Sequence, residues 1–258
     1  MKGKIYKTKP LKQKYQQNLN YNQAKIAGFD LEKFQAGKVA VIGGGAIGIH
    51  VCLGLVRKGI GFLDIFDDDN VEVQNLTRQL FSPKDLKKNK AHCSAKILSK
   101  QGYFNSTISG YAFRFQEGLE AGFDYSKYDV IVCGVDNNPT RVAVAKFCFN
   151  HSLPLVMSAV SRDGNQLYCA IQEPKEACFA CIQPTAVDDS TSPCNLPGII
   201  DVIQVLAGFT VFAVDTVLLK RHREWNLRAL TLDGFMPDTS RVIPKRKDCP
   251  ICGSGVSQ

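Results

Sequence analysis

The sequence predicts an α/β protein, built on a doubly wound, mostly parallel sheet that ends in antiparallel strands. Three observations predict it. Short apolar runs alternate with segments of helical period through about residue 160, in the order β-α-β-α. The first run opens into a glycine loop, Gly43-Gly44-Gly45-Ala46-Ile47-Gly48, that leads straight into a helical segment. Residues 166–171 then alternate apolar and polar side chains, the pattern of an antiparallel strand.

Each element has its own reason. Residues 1–20 read as a flexible basic arm, and residues 21–258 as a single domain with a C-terminal tail. Residues 22–35 mix polar and apolar side chains and fit a short helix. Residues 39–42 are four apolar residues in a row, as in a parallel strand covered on both faces. Residues 49–58 continue as a helix. Residues 62–66 form a second such strand, interrupted by Asp64, and end in Asp67-Asp68-Asp69. Residues 90–101 carry Ala91, Ala95 and Leu98 at helical spacing. Residues 106–115 alternate weakly, as a strand. Residues 130–132 are a further buried strand, leading through Gly134-Val135-Asp136 to a helix over 142–151. Residues 155–157 are another strand. After a polar loop at 188–198 come a long amphipathic helix over 199–223 and a late strand over 227–232. A tail rich in proline and lysine follows.

The totals exclude several classes. A chain of 258 residues that is 45% hydrophobic and 22% charged can bury a full α/β core, so it is neither disordered nor fibrous. The lysine-rich start has no apolar segment after it, as a secretory signal requires. Asp201, Gln204, Gly208 and Asp215 break the apolar stretch 199–219, against a membrane span. The expectation is a cytoplasmic protein that does not engage a membrane. The net charge of +8 is concentrated in one place. Residues 1–29 hold seven lysines (Lys2, Lys4, Lys7, Lys9, Lys12, Lys14 and Lys25) and no acid. A solvated arm explains this. Contact with nucleic acid is the alternative, disfavoured because no aromatic interleaving or folded basic motif accompanies the charge.

The chemistry is concentrated in residues 38–90. Gly43-x-Gly45-x-x-Gly48 fits the dinucleotide fingerprint: glycines allow a tight turn and a close approach, and the helix N-terminus favours anions. Asp67, at the end of the second strand, is placed to accept ribose hydroxyls. This much says only "adenosine nucleotide", with NAD, FAD, S-adenosylmethionine and ATP all open. Asn75, Arg78 and Lys90 narrow it. Arginine pairs bidentately with phosphate oxygens and lysine acts as a point charge. An intact pyrophosphate needs little beyond backbone and helix dipole. A triphosphate whose α–β bond breaks needs cations that follow the leaving group. Asp136, past the carboxyl end of a parallel strand, could hold Mg2+ between the phosphates.

Ten cysteines without an export signal suggest a reducing compartment and a metal rather than a disulfide framework. Four form the pairs Cys178/Cys181 and Cys249/Cys252. Cys52, Cys93, Cys133, Cys148 and Cys169 fall on apolar faces and read as small core residues. Cys194 lies in a polar loop just before the long helix, where a thiol pKa can be depressed.

The glycine loop, Asp67-x-Asp69-x-Val71, Asn75-Leu76-x-Arg78-Gln79-x-Phe81, Lys90-Ala91 and Asp136-Asn137-x-x-Thr140-Arg141 together resemble the ThiF/MoeB/HesA family, relatives of the ubiquitin-activating enzymes. The resemblance runs from about residue 21 to residue 252. It implies a Rossmann-like adenylation domain, usually a homodimer. The implied reaction is Mg-ATP-dependent adenylation of the C-terminal glycine carboxylate of a small ubiquitin-like or sulfur-carrier protein ending in Gly-Gly, with release of pyrophosphate. Gly43, Gly45 and Gly48 would line the nucleotide, Asp67 and Asp69 would serve the ribose, Asn75, Arg78 and Lys90 the phosphates, and Asp136 the Mg2+. The family often carries a structural Zn2+, and two Cys-x-x-Cys pairs suit a closed four-sulfur site. Cys194 matches by position a cysteine that some members link to the carrier by thioester or acyl-disulfide chemistry.

One departure stands out. Members usually carry an arginine in an N-terminal Arg-Tyr-x-Arg-Gln element that reaches the partner's nucleotide. Here the stretch is Asn20-Tyr21-Asn22-Gln23-Ala24-Lys25, and the first arginine is Arg57. Either Lys25 or another N-terminal lysine substitutes, or adenylation is slow, or an arginine comes from a different protein. Three other readings compete: a tRNA-modifying adenylating dehydratase of the same superfamily, a non-catalytic carrier-binding subunit, and an NAD-dependent oxidoreductase. The last leaves Arg78, Lys90 and Asp136 without a role.

Overall fold

Nine strands among the described residues lie in one sheet: Lys4–Lys7 (β1), Lys38–Ile42 (β2), Phe62–Phe66 (β3), Thr107–Tyr111 (β4), Val130–Cys133 (β5), Leu155–Val160 (β6), Gln166–Gln172 (β7), Leu227–Thr231 (β8) and Thr239–Arg241 (β9). The structure is a computed structural model and describes residues 1–161, 164–184, 198–232, 234 and 237–253. The strand order is β1-β4-β3-β2-β5-β6-β7-β8-β9. The five strands β4-β3-β2-β5-β6 are mutually parallel. The order therefore reverses at β2, between β3 on one side and β5 on the other, the doubly wound arrangement. The pairs β6–β7, β7–β8 and β8–β9 are antiparallel, as the alternation in residues 166–171 predicts.

The period of two sorts the central strands between two cores. Val39 and Val41 of β2 face one cluster with Leu63, Ile65, Val130 and Val132. Ala40 and Ile42 face the other with Phe66, Ile131 and Cys133. The first face is covered by Leu31–Ala36 (α2), Ala46–Lys58 (α3), Lys90–Leu98 (α4) and Ile200–Leu218 (α8). The second is covered by Phe115–Glu120 (α5), Asn138–Asn150 (α6) and Phe179–Ile182 (α7). Sequence pattern misses α5 and α7, because each is under two turns long. It also misses β9, which is only three residues. Helix α8 is long and apolar enough to cross a membrane, but most of it is buried. It packs on α3, β6 and β7, so its apolar character belongs to the core.

The N-terminal segment differs from the flexible arm expected for residues 1–20. β1 pairs antiparallel with β4, with Lys4 opposite Gly110 and Lys7 opposite Thr107. Thr8 is buried; its N–H donates to the Ser106 carbonyl (3.0 Å), and its hydroxyl donates to the Phe104 carbonyl. Gln13–Leu19 (α1) follows. The physical reason is the sheet edge: without β1, β4 would present a row of unpaired backbone groups to water.

Candidate active site

The carboxyl ends of β2, β3 and β5 open onto a cleft of about 730 Å³. It lies at the reversal point of the sheet, where open α/β sheets bind ligands. Gly43, Gly45, Asp67, Asp69, Asn75, Arg78, Lys90 and Asp136 all line it. Residues spread over nearly a hundred positions of sequence thus meet at one place.

Gly43 turns the chain with φ +94°, and an added Cβ would lie 3.0 Å from Val135 Cγ1. Gly45 caps α3, whose first amides receive no side-chain hydrogen bond, and a Cβ there would meet nothing within 4 Å. It therefore borders open cleft at a helix N-terminus, which suits an anion. Gly48 differs from the expected nucleotide contact. It is buried in α3 and is not among the lining residues, and a Cβ on it would fall 1.9 Å from the Gly43 carbonyl oxygen. Its role is to let helix and loop pack.

Asp67 is held by the loop it faces. Its Oδ2 accepts from the Gly44 N–H at 2.7 Å and its Oδ1 from the Asp69 N–H at 3.0 Å. Burial pushes its carboxyl up to about 7, against the pull of the Lys90 ammonium. Lys90 is itself buried and pairs with Asp69, Nζ to Oδ2 2.7 Å. Asn89 caps α4 and binds the carbonyls of Asp67 and Asp69 at 2.8 and 3.2 Å, so the acidic turn and α4 move as one piece. Asn75 is buried, its Oδ1 accepting from the Glu72 N–H (2.9 Å) to close a 3-10 turn. Arg78 follows that turn. Its Nε is buried and, among the described residues, has no hydrogen-bond partner. An unpaired buried guanidinium N–H beside a buried ammonium is a donor set that fits a polyanion. Asp136 is exposed at the rim, where its carboxylate fits a cation shared with phosphates.

Four residues in or behind the site take roles that the motifs do not assign, Arg141 among them although it closes the Asp136–Arg141 element. His50 of α3 places Nε2 3.3 Å from the Arg78 carbonyl oxygen, and burial lowers its pKa. Arg141 is buried, donating through Nε to the Val135 carbonyl and through Nη1 to Asn138 Oδ1, both at 3.0 Å. It fixes the loop that carries Asp136. Arg114 pairs with Asp68 at 2.8 Å, and Gln116 donates to Thr140 Oγ1 at 3.1 Å. His50 lies on a helical segment where a single polar residue carries no pattern, Arg141 is marked by the motif but not its role, and Arg114 and Gln116 depend on how β4 ends.

Lys25 is not among the cleft's lining residues; its ammonium sits 3.7 Å over the Tyr21 ring. Cys194 lies within 185–197, outside the described residues. The two Cys-x-x-Cys pairs do meet. Their four buried sulfurs lie within 4.8 Å of one another, with Cys178–Cys249 and Cys181–Cys252 each at 3.4 Å. Four thiolates about one Zn2+ at ~2.3 Å stand roughly 3.8 Å apart, so the cluster is compatible with zinc. Cys52, Cys133, Cys148 and Cys169 are buried in the two main cores, where burial raises their pKa; Cys93 is buried in a small cluster beside the cleft.

The ThiF family profile matches residues 15–251 of the chain. The SAMP-activating enzyme E1 of Haloferax volcanii is 30% identical over 231 residues, which is 84% of this chain and 81% of that protein. The sulfur carrier protein ThiS adenylyltransferase of Escherichia coli K12 is 27% identical, over 86% of this chain and 88% of that protein. Among solved structures, the crystal structure of E. coli MccB with ATP superposes with a TM-score of 0.75 at 22% identity. That match covers 93% of this chain and 74% of the MccB chain, and it shows the same fold. With the family profile spanning nearly the whole chain and the nucleotide-site motifs gathered in one cleft, the protein belongs to the ThiF family of E1-like adenylyltransferases.

Proposed function

We propose that this chain adenylates the C-terminal glycine carboxylate of a small ubiquitin-like or sulfur-carrier protein, consuming ATP and releasing pyrophosphate. The observation that carries the reading is Arg78: a buried guanidinium nitrogen left without a partner among the described residues, in the cleft that also holds Lys90. A triphosphate satisfies both cations, whereas a dinucleotide leaves them unused.

In this reading the amides at the start of α3 and the Gly43–Gly45 loop receive phosphate oxygens. Asp67 and Asp69 take the ribose end, and Asn75 orients the triphosphate. An oxygen of the carrier's carboxylate attacks the α-phosphorus, and the bond from that phosphorus to the bridging oxygen breaks. The products are an acyl-adenylate and pyrophosphate. No general base is needed, because the carboxylate is already ionised at neutral pH. Arg78 and Lys90 stabilise the charge that develops on the leaving pyrophosphate. Asp136 would hold Mg2+, which neutralises phosphate charge when bound.

A second cavity supports a protein substrate. It measures about 210 Å³, is walled by Met157, Phe179 and Leu227, and shares Arg141 with the cleft. A C-terminal segment lying there would deliver its carboxylate beside the nucleotide. The same reading includes a cytoplasmic homodimer, a structural Zn2+ on Cys178, Cys181, Cys249 and Cys252, and a later thioester or acyl-disulfide step at Cys194. The test is ATP–pyrophosphate exchange with and without candidate carriers ending in Gly-Gly. Exchange that requires the carrier and is abolished in Arg78→Ala and Asp136→Ala supports the reading. Unchanged exchange in those variants, or carrier binding without exchange, overturns it.

A further inference from the structure

The lysine-rich N-terminal segment is a built surface. All seven lysines of residues 1–29 are exposed, yet the segment carrying them is tied to the sheet through β1 and Thr8. Behind it lies a cavity of about 770 Å³, walled by Leu19, Leu31, Tyr103 and the carboxamides of Gln16, Asn20 and Gln35. Asn20 Oδ1 and, in the adjoining turn, Gln23 Oε1 are buried acceptors with no hydrogen-bond partner among the described residues. Two exposed tyrosines, Tyr15 and Tyr21, are chain neighbours of the cavity's lining residues Gln16 and Asn20, and a third, Tyr103, lines the cavity itself. Each carries a cation over its ring, Lys14 at 4.9 Å, Lys25 at 3.7 Å and Arg57 at 5.1 Å.

We propose that this face binds single-stranded nucleic acid. The lysines match a phosphate backbone, the ring faces offer stacking platforms, and the carboxamides offer hydrogen bonds to base edges. An acidic protein would use the lysines and leave the tyrosines and buried acceptors idle. A duplex keeps its base faces stacked and offers nothing to the tyrosines. The cavity, with Lys9, Lys12, Lys14 and Lys25 near its lining residues in the chain, sits at the opposite end of the sheet from the nucleotide cleft, whereas Lys2 and Lys4 lie toward the carboxyl end of β4. Gln35 and Asn105 precede β2 and β4, whereas the cleft residues follow β2, β3 and β5. Both can therefore be occupied at once. The inference goes beyond the adenylation reading and does not depend on it.

The test is fluorescence anisotropy of the full-length protein with a labelled oligouridylate of about 12 nucleotides. Neutralising about four phosphates predicts a roughly 50-fold loss of affinity between ~50 and ~200 mM salt. Lys12→Gln with Lys14→Gln should weaken binding and flatten that salt slope. Tyr21→Ala and Tyr103→Ala should each weaken single-strand binding about tenfold and leave binding of a duplex of equal length unchanged. Tyr21 is 60% exposed, so its replacement leaves the fold intact, and the melting temperature checks this. No binding at low salt overturns the proposal. So does binding that ignores both tyrosine substitutions, or a poly-glutamate peptide that binds as tightly as the oligouridylate.

Discussion

His50 Nε2 lies 3.3 Å from the carbonyl oxygen of Arg78, a polar tie from the helix of the glycine loop to the segment that carries the arginine. Around it Ile49, Val71, Phe81 and Cys93 form a small apolar cluster that holds the same two pieces together. The tie fixes the backbone from which the guanidinium projects. A neutral hydrogen bond of this kind contributes about 1 kcal/mol. His50→Ala should therefore raise the KM for ATP roughly fivefold with a smaller effect on kcat, while His50→Gln, which keeps a donor, should recover most of it. AMP binding should be unchanged in both variants, because AMP lacks the phosphates assigned to Arg78. Equal losses for ATP and AMP would show that His50 supports only the fold.

Lys90 is paired with Asp69 at 2.7 Å. A triphosphate must share or take over that ammonium. Lys90→Ala removes a buried cation facing the leaving group and should lower exchange about 100-fold, the scale of losing one preorganised donor. Asp69→Asn keeps the lysine and an acceptor for the ribose but weakens the lysine's restraint, so exchange should fall far less than in Lys90→Ala. Comparable losses would mean that the ion pair, and not the lysine charge, matters.

Asp67 supplies a pH dependence whose sign is fixed. Burial raises its carboxyl from the ordinary 3.8 to about 7. Between those values the folded chain keeps a proton that the unfolded chain has released. Stability from this group is therefore present at low pH and falls as pH rises through the window. Asp67→Asn removes the titration. Its melting temperature relative to the parent should be higher at about pH 8 than at about pH 5, measured by calorimetry without nucleotide. A difference that is flat over this range would place the carboxyl in water.

The two glycines of the loop should separate stability from binding. At Gly48 an added Cβ would lie 1.9 Å from the Gly43 carbonyl oxygen, so Gly48→Ala must push helix and loop apart. It should cost a few kcal/mol of stability and nucleotide binding with it. At Gly45 a Cβ meets no protein atom within 4 Å. Gly45→Ala should leave the melting temperature within about 2 °C of the parent and weaken ATP tenfold or more, because the methyl occupies the phosphate's approach. Thermal melts with and without ATP distinguish the two cases.

The four-sulfur cluster predicts one bound Zn2+ per chain by elemental analysis. Chelation, or Cys249→Ser, should lower the melting temperature by about 10 °C or more, since metal binding adds directly to folding free energy. A chain that is metal-free as purified and equally stable would make the cluster a set of ordinary buried thiols.

The meeting of these residues in one cleft is legible in part: Gly43, Gly45, Asp67 and Asp136 sit at or just past the ends of apolar runs, which parallel sheets gather, whereas Asn75, Arg78 and Lys90 lie farther along the chain and are read from their charge and spacing. Gly48 was misassigned because a spacing motif does not say whether a glycine faces ligand or backbone. The N-terminal segment was misread for a different reason. Its alternation is masked by lysine, and its order comes from an edge 100 residues away, through Thr8 and Ser106. His50 has no sequence signal because it contacts a carbonyl 28 residues away, which only the assembled fold brings within reach, and Arg141, although part of a motif, shows its role only in the geometry of its bond to the Val135 carbonyl.

The cysteine cluster also closes a long loop of chain. Everything between Cys181 and Cys249 lies inside it, including α8, β8 and β9. Gly198 and Ile203, at the start of α8, line the nucleotide cleft. A Zn2+ held by these four thiolates would tie together both ends of the segment whose residues Gly198 and Ile203 border the cleft. Loss of such a metal would release both ends of that loop at once, so metal occupancy would be felt at the nucleotide cleft although no cysteine of the cluster lines it.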